Sequence, residues 1–135
     1  MHVYRLFILS MVALLLSACT AVGDSKKAIT LDQALRNYET AIRWVEFKAA
    51  DSMRRLEGNA DYTPSPDTLK HIRVTSYETV NMTAFDDNSI MNIQVEIVYY
   101  NDDTMKLLTL TDNQVWKYDP DIKSWYITTP LPAFR

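Results

Sequence analysis

Glycine, cysteine and histidine are scarce in these 135 residues, and each scarcity removes a class of chemistry. There are two glycines, Gly23 and Gly58, so no glycine-rich loop can cradle a phosphate. Two histidines and one cysteine leave no set of Cys or His ligands for zinc within one chain, and no metal or cofactor is expected. A single cysteine, Cys19, also excludes an internal disulfide. The motifs of hydrolases are missing too: there is no Gly-x-Ser-x-Gly, no His-Glu-x-x-His and no Ser-x-x-Lys arrangement of that type. Basic residues are outnumbered, 14 against 17 acidic, which argues against nucleic acid as a partner.

The N-terminus holds the most specific signal. One basic residue, Arg5, precedes an apolar run from Leu6 to Leu16, and Leu16-Ser17-Ala18-Cys19 closes it. The run is too short for a membrane span of ~20 residues, and its order is that of a signal sequence. An aliphatic residue, two small residues and a cysteine resemble the lipobox of bacterial lipoproteins. That resemblance implies cleavage before Cys19, a thioether-linked diacylglycerol on its sulfur and further acylation of the new N-terminus. Several acyl chains at ~0.8 kcal/mol per buried methylene anchor firmly. Thr20 follows the cysteine, where aspartate commonly retains enterobacterial lipoproteins in the inner membrane, so the resemblance implies the periplasmic face of the outer membrane. Removal of residues 1–18 takes away Arg5 and leaves 13 basic against 17 acidic residues, a net charge of −4.

Residues 19–29 read as the lipidated cysteine and a short tether, at most ~35 Å when extended. Lys26 and Lys27 either meet headgroups or are simply solvated. Residues 30–135 read as one domain. Thr30 and Gln33 match a capping box, and Leu31, Leu35, Tyr38, Ile42, Val45, Ala49, Met53 and Leu56 then form one helical stripe. The pattern predicts one helix of roughly 27 residues ending at Gly58. Ser65-Pro66-Asp67 predicts one further turn within the loop 59–70.

From Ile72 the period becomes two. Strands are expected over 72–84, 89–101, 104–111, 114–118 and 124–128, joined by Asp- and Asn-rich turns at 86–88, 102–103, 112–113 and 119–121. Short connections require antiparallel neighbours. The expected fold class is therefore α+β: one long N-terminal helix on a curved antiparallel sheet of four to five strands. This order resembles the cystatin-like and NTF2-like folds.

With Asp102-Asp103 and Asp112-Asn113 as two-residue loops, Met91, Ile93, Val95, Ile97, Leu108, Leu110 and Val115 share the helix-packed face, joined by Trp125 and Ile127. The opposite face then collects Val98, Tyr100, Met105, Leu107, Trp116, Tyr118 and Tyr126. Seven such residues on one side form a candidate partner or ligand surface. Three occupants are open: the C-terminal tail Leu131–Phe134, a second copy of the chain, or another protein or apolar ligand. The resemblance favours the second copy, since NTF2-like domains often pair through their open sheet. Trp44 and Phe47 lie off the helical stripe, either covered by the loop or the tail or exposed as an anchor pair.

Catalytic candidates are thin. The aspartates fall in turns, where their side chains bond local backbone N–H groups. Asp119-x-Asp121 lacks the remaining ligands of a calcium loop. His71, with Tyr62 and Asp67 upstream, has no nucleophile identifiable by motif, and Asn81-Met82-Thr83 is a glycosylation sequon by spelling alone. The chain is expected to be a non-enzymatic binding or assembly module of the cell envelope. The alternative is a small apolar-ligand binding protein with a cone-shaped, lipid-accepting pocket.

Overall fold

The computed structural model describes residues 18–57 and 64–135. The apolar run, Leu16 and Ser17 of the lipobox, the Gly58 stop and Tyr62 lie outside the described residues. The order of elements is α1 (Ala18–Arg43), α2 (Phe47–Ser52), α3 (Pro66–Leu69), β1 (Ile72–Phe85), β2 (Ile90–Asn101), β3 (Lys106–Asp119) and β4 (Ser124–Ile127). The strands form one antiparallel sheet in the order β1-β2-β3-β4, an open meander with a helix packed on one side. None of the described helices is long and apolar enough to cross a membrane.

The helix differs from its expected bounds at both ends. Residues 20–29, read as a tether, are helical and continuous with the rest of α1. Thr30 therefore caps nothing: its hydroxyl donates back to the carbonyls of Lys26 and Lys27, and Gln33 bonds Asn37 instead of closing a capping box. At the other end the stripe breaks at Val45. The Val45 N–H bonds the Ile42 carbonyl (3.1 Å) and the Glu46 N–H bonds the Ala41 carbonyl (2.8 Å). That is a Schellman motif, with Val45 at the left-handed C′ position, φ 62°. A β-branched residue is strained there, and the turn redirects the chain into α2. The single turn predicted after Ser65 is present as α3, and the Ser65 hydroxyl accepts from the Thr68 N–H at 3.1 Å.

Two turn assignments also change. The β2–β3 connection spans four residues, not two: Asn101 accepts from the N–H groups of both Thr104 and Met105, and Met105 takes φ 53°. Ile97 consequently pairs with Leu110 and Tyr99 with Leu108. A shift of two leaves every side chain on its expected face. Asp112-Asn113 is no turn at all. Both residues lie within β3, opposite Val95 and Gln94, and the Gln94 amide bonds the Asn113 amide oxygen across the strands. Without that turn the alternation runs unbroken from Lys106 to Asp119. Even-numbered residues then face α1, which sends Val115 to the open side and brings Trp116 and Tyr118 to the covered side.

The core lies between α1 and the sheet. Tyr38 and Ile42 from α1 meet Ile93, Val95, Ile97, Trp116 and Ile127, all buried. The Tyr38 and Trp116 rings meet edge to face at 5.5 Å. Beyond Thr128 the tail folds back into this core. Leu131, Pro132 and Phe134 are buried, and the Phe134 ring packs against Tyr99 (5.0 Å) and Phe47 (5.4 Å). Residues 53–55 cover the outer edge of β4, with Ile127 exchanging backbone bonds with Met53 and Arg55.

Candidate functional site

The open face of the sheet keeps part of its expected apolar surface. Tyr100 pairs with Leu107 and Val98 with Thr109, so these three apolar side chains sit together at the β2–β3 end, with Met105 in the adjoining turn. Leu107 is 64% and Met105 72% exposed, while Val98 and Tyr100 are half-buried. Tyr126 is on the same face but beside Lys117, ten positions along β3 and roughly 34 Å away. The Arg55 guanidinium stacks over its ring at 4.5 Å. Trp116 is fully buried and Tyr118 half-buried on the covered side, so neither belongs to the surface assigned to them from the sequence. The tail, offered as a cover for this face, packs on the other side. Four of seven residues therefore form one patch: Val98, Tyr100, Met105 and Leu107.

Trp44 and Phe47 separate. The Schellman turn points Phe47 inward onto Phe134, whereas Trp44 stays 76% exposed. Beside that turn, Val45, Phe47, Pro66 and Leu69 line an apolar hollow of about 710 Å³.

The covered side holds what the sequence did not suggest. Asp112 and Gln114 are buried polar residues, 7% and 2% exposed. The Gln114 amide nitrogen donates to Asp112 Oδ2 (2.7 Å) and to the Tyr77 hydroxyl (2.9 Å), and its oxygen accepts from Trp116 Nε1 (2.9 Å). Burial pushes the Asp112 carboxyl up to about 6, with the Gln114 bond opposing. Burial also raises Tyr77 and Tyr38 well above the ordinary phenol range. The Tyr38 and Thr129 hydroxyls and Arg54 Nη1 are buried without a hydrogen-bond partner. No cation pairs with Asp112 among the described residues. It lines a cleft of about 650 Å³ between β3 and the returning tail, with Tyr99, Leu108, Leu110 and Leu131 among its walls.

Among the described residues His71 does not pair with Asp67. Its Nδ1 lies 2.9 Å from Asp102 Oδ1 and 3.2 Å from Asp103 Oδ1, and Arg73 bonds the second oxygen of Asp102 at 2.6 Å. The cluster offers three potential ligand atoms within 4.8 Å of one another. Its geometry is accounted for by the His71–Asp102 hydrogen bond and the Arg73–Asp102 ion pair: they fasten the start of β1 to the β2–β3 turn, where the Asp102 N–H also bonds the His71 carbonyl.

No family model matches the chain, and no curated protein or solved structure shows a significant likeness to it.

Proposed function

We propose that this chain is a bacterial lipoprotein, held by acyl chains on Cys19 at the periplasmic face of the outer membrane, whose domain is a non-catalytic binding or assembly module of the cell envelope. The lipobox resemblance supports the anchor. The observation that carries the binding role is the open sheet face, where Val98, Tyr100, Met105 and Leu107 form an apolar patch that the tail leaves uncovered. Aromatic and large apolar side chains supply most of the energy at interfaces, and a patch of this kind on a small domain marks a contact surface. A helix followed by an antiparallel meander supports the likeness to cystatin-like and NTF2-like folds.

The helical run through residues 20–29 alters how such an anchor would act. α1 meets the sheet at Lys27, whose ammonium bonds Ser89 Oγ at 3.2 Å and lies over the Tyr118 ring. Lys27 lies eight helical steps from Cys19, about 12 Å. The domain would stand on a short stiff stem, with the Val98–Leu107 patch at the end of the sheet far from the lipid.

Light scattering on the full chain in non-ionic detergent, over a hundredfold concentration range, tests the simplest partner, a second copy. Wild-type dimers that become folded monomers on Leu107→Glu support pairing through this patch. Wild-type monomers at every concentration exclude it and leave another envelope protein as the occupant.

A second reading, small apolar-ligand binding, is favoured by the cleft between β3 and the tail. The cone itself is filled by Trp116, Tyr38 and Phe134, so any ligand would sit at its margin.

A further inference from the structure

The cleft between β3 and the tail differs from an ordinary surface hollow in having a buried carboxylate in its lining. Leu108, Leu110, Tyr99 and Leu131 supply its apolar lining, and Asn113 and three threonines of β3 and the tail line it as well. The even-numbered position after Leu110 is Asp112. A carboxylate removed from water is costly unless a cation or several hydrogen-bond donors compensate. Here the hydrogen bond to the carboxylate comes from Gln114, onto Oδ2.

The charged and titratable groups around it offer no counter-ion. Tyr77 from β1 and Tyr38 from α1 are neutral hydroxyls. Arg54, buried near Tyr38, pairs with Asp51 and keeps its Nη1 buried without a partner, but forms no bond to Asp112. Arg135 is exposed at the mouth of the cleft and forms no ion pair with Asp112. A partly apolar cleft holding a buried carboxylate with no paired cation calls for a ligand that is both cationic and apolar.

We propose that this cleft binds a small amphiphilic cation, of the primary alkylammonium class, with its charged head on Asp112 and its apolar body against Leu108, Leu110 and Leu131. The inference rests on the second reading above, that the domain takes a small apolar ligand, and adds the charge of that ligand. Trp116 is a built-in reporter, because its indole N–H is joined to Asp112 through Gln114.

The test is a titration of the full chain in non-ionic detergent micelles, with ¹⁵N-labelled tryptophan, using hexylammonium chloride and 1-hexanol as probes. The expected result is a saturable shift of the Trp116 indole resonance with hexylammonium, at concentrations at least tenfold lower than hexanol requires. In Asp112→Asn the two probes should converge to within threefold, with hexanol unchanged. Equal responses to both probes in the wild type would overturn the role of Asp112 while leaving an apolar site. No response to either would overturn the ligand-binding reading itself. If Asp112→Asn fails to fold, the comparison of the two probes in the wild type still decides.

Discussion

Replacing Asp112 by asparagine should make the protein more stable at neutral pH, against the usual outcome for a buried hydrogen-bonded residue. Burial raises the Asp112 carboxyl from its ordinary 3.8 to about 6, so the folded state holds a proton that the unfolded chain releases. Stability from this group is fully present below pH 4 and is lost as pH rises toward 6. The gap of about two units corresponds to roughly 3 kcal/mol of penalty at pH 7 and above. Asparagine has nearly the same shape, and its amide oxygen can accept the Gln114 bond without a charge. The substitution should therefore stabilise by roughly 2–3 kcal/mol at pH 7 and by almost nothing at pH 4.

Urea unfolding of both forms between pH 4 and pH 8 measures this directly. The difference between the two curves is the quantity of interest, because contributions common to both forms cancel in it. Asp119, for example, is held low by its bond to Arg55 and contributes stability that falls in acid. For a chain of this size the gain at pH 7 is on the order of 10 °C in Tm. A variant less stable than wild type at pH 7, or a difference independent of pH, would refute the assignment of Asp112 as a buried, uncompensated acid.

Other substitutions address the packing. Phe134→Ala removes the ring lodged between Tyr99 and Phe47 and should cost about 3–5 kcal/mol by chemical denaturation, a loss no surface tail would produce. Val45→Gly relieves the left-handed strain at the end of α1, worth roughly 1–2 kcal/mol, against a half-buried side chain lost. Its net effect on stability should fall within about 1 kcal/mol of zero, and a larger loss would contradict the Schellman geometry. Tyr38→Phe deletes a buried hydroxyl with no partner and should be neutral or stabilising by up to about 1 kcal/mol in the same assay.

The legible parts of the sequence were those with a periodic signal. Alternation over Ile90–Asn101 located β2 and its buried face, and Ser65-Pro66 located the one-turn α3. The break in the long helix was not legible, because Val45, Ala49 and Met53 continue the apolar stripe and no glycine marks the C′ position. Asp112-Asn113 misled for a physical reason as well. The pair has the composition of a hairpin turn, yet it lies within a continuous strand where Asn113 is bonded across to Gln94 and Asp112 is buried. That single substitution of turn for strand moved Trp116 and Tyr118 to the wrong face and hid the buried carboxylate. The tail, one of three candidate covers for the open face, folds back instead onto the α1 side. Which side it covers depends on the space α1 leaves open, which sequence pattern does not encode.

The claim at the centre of this account is that the open sheet face near the β2–β3 turn is a contact surface. Photo-crosslinking in living cells tests it most directly, with benzoylphenylalanine placed in the full chain at Leu107 or, as a control, at the exposed Arg36 of α1. A discrete adduct from position 107 and none from position 36 is the predicted result. No adduct from 107, or the same adducts from both positions, would contradict it.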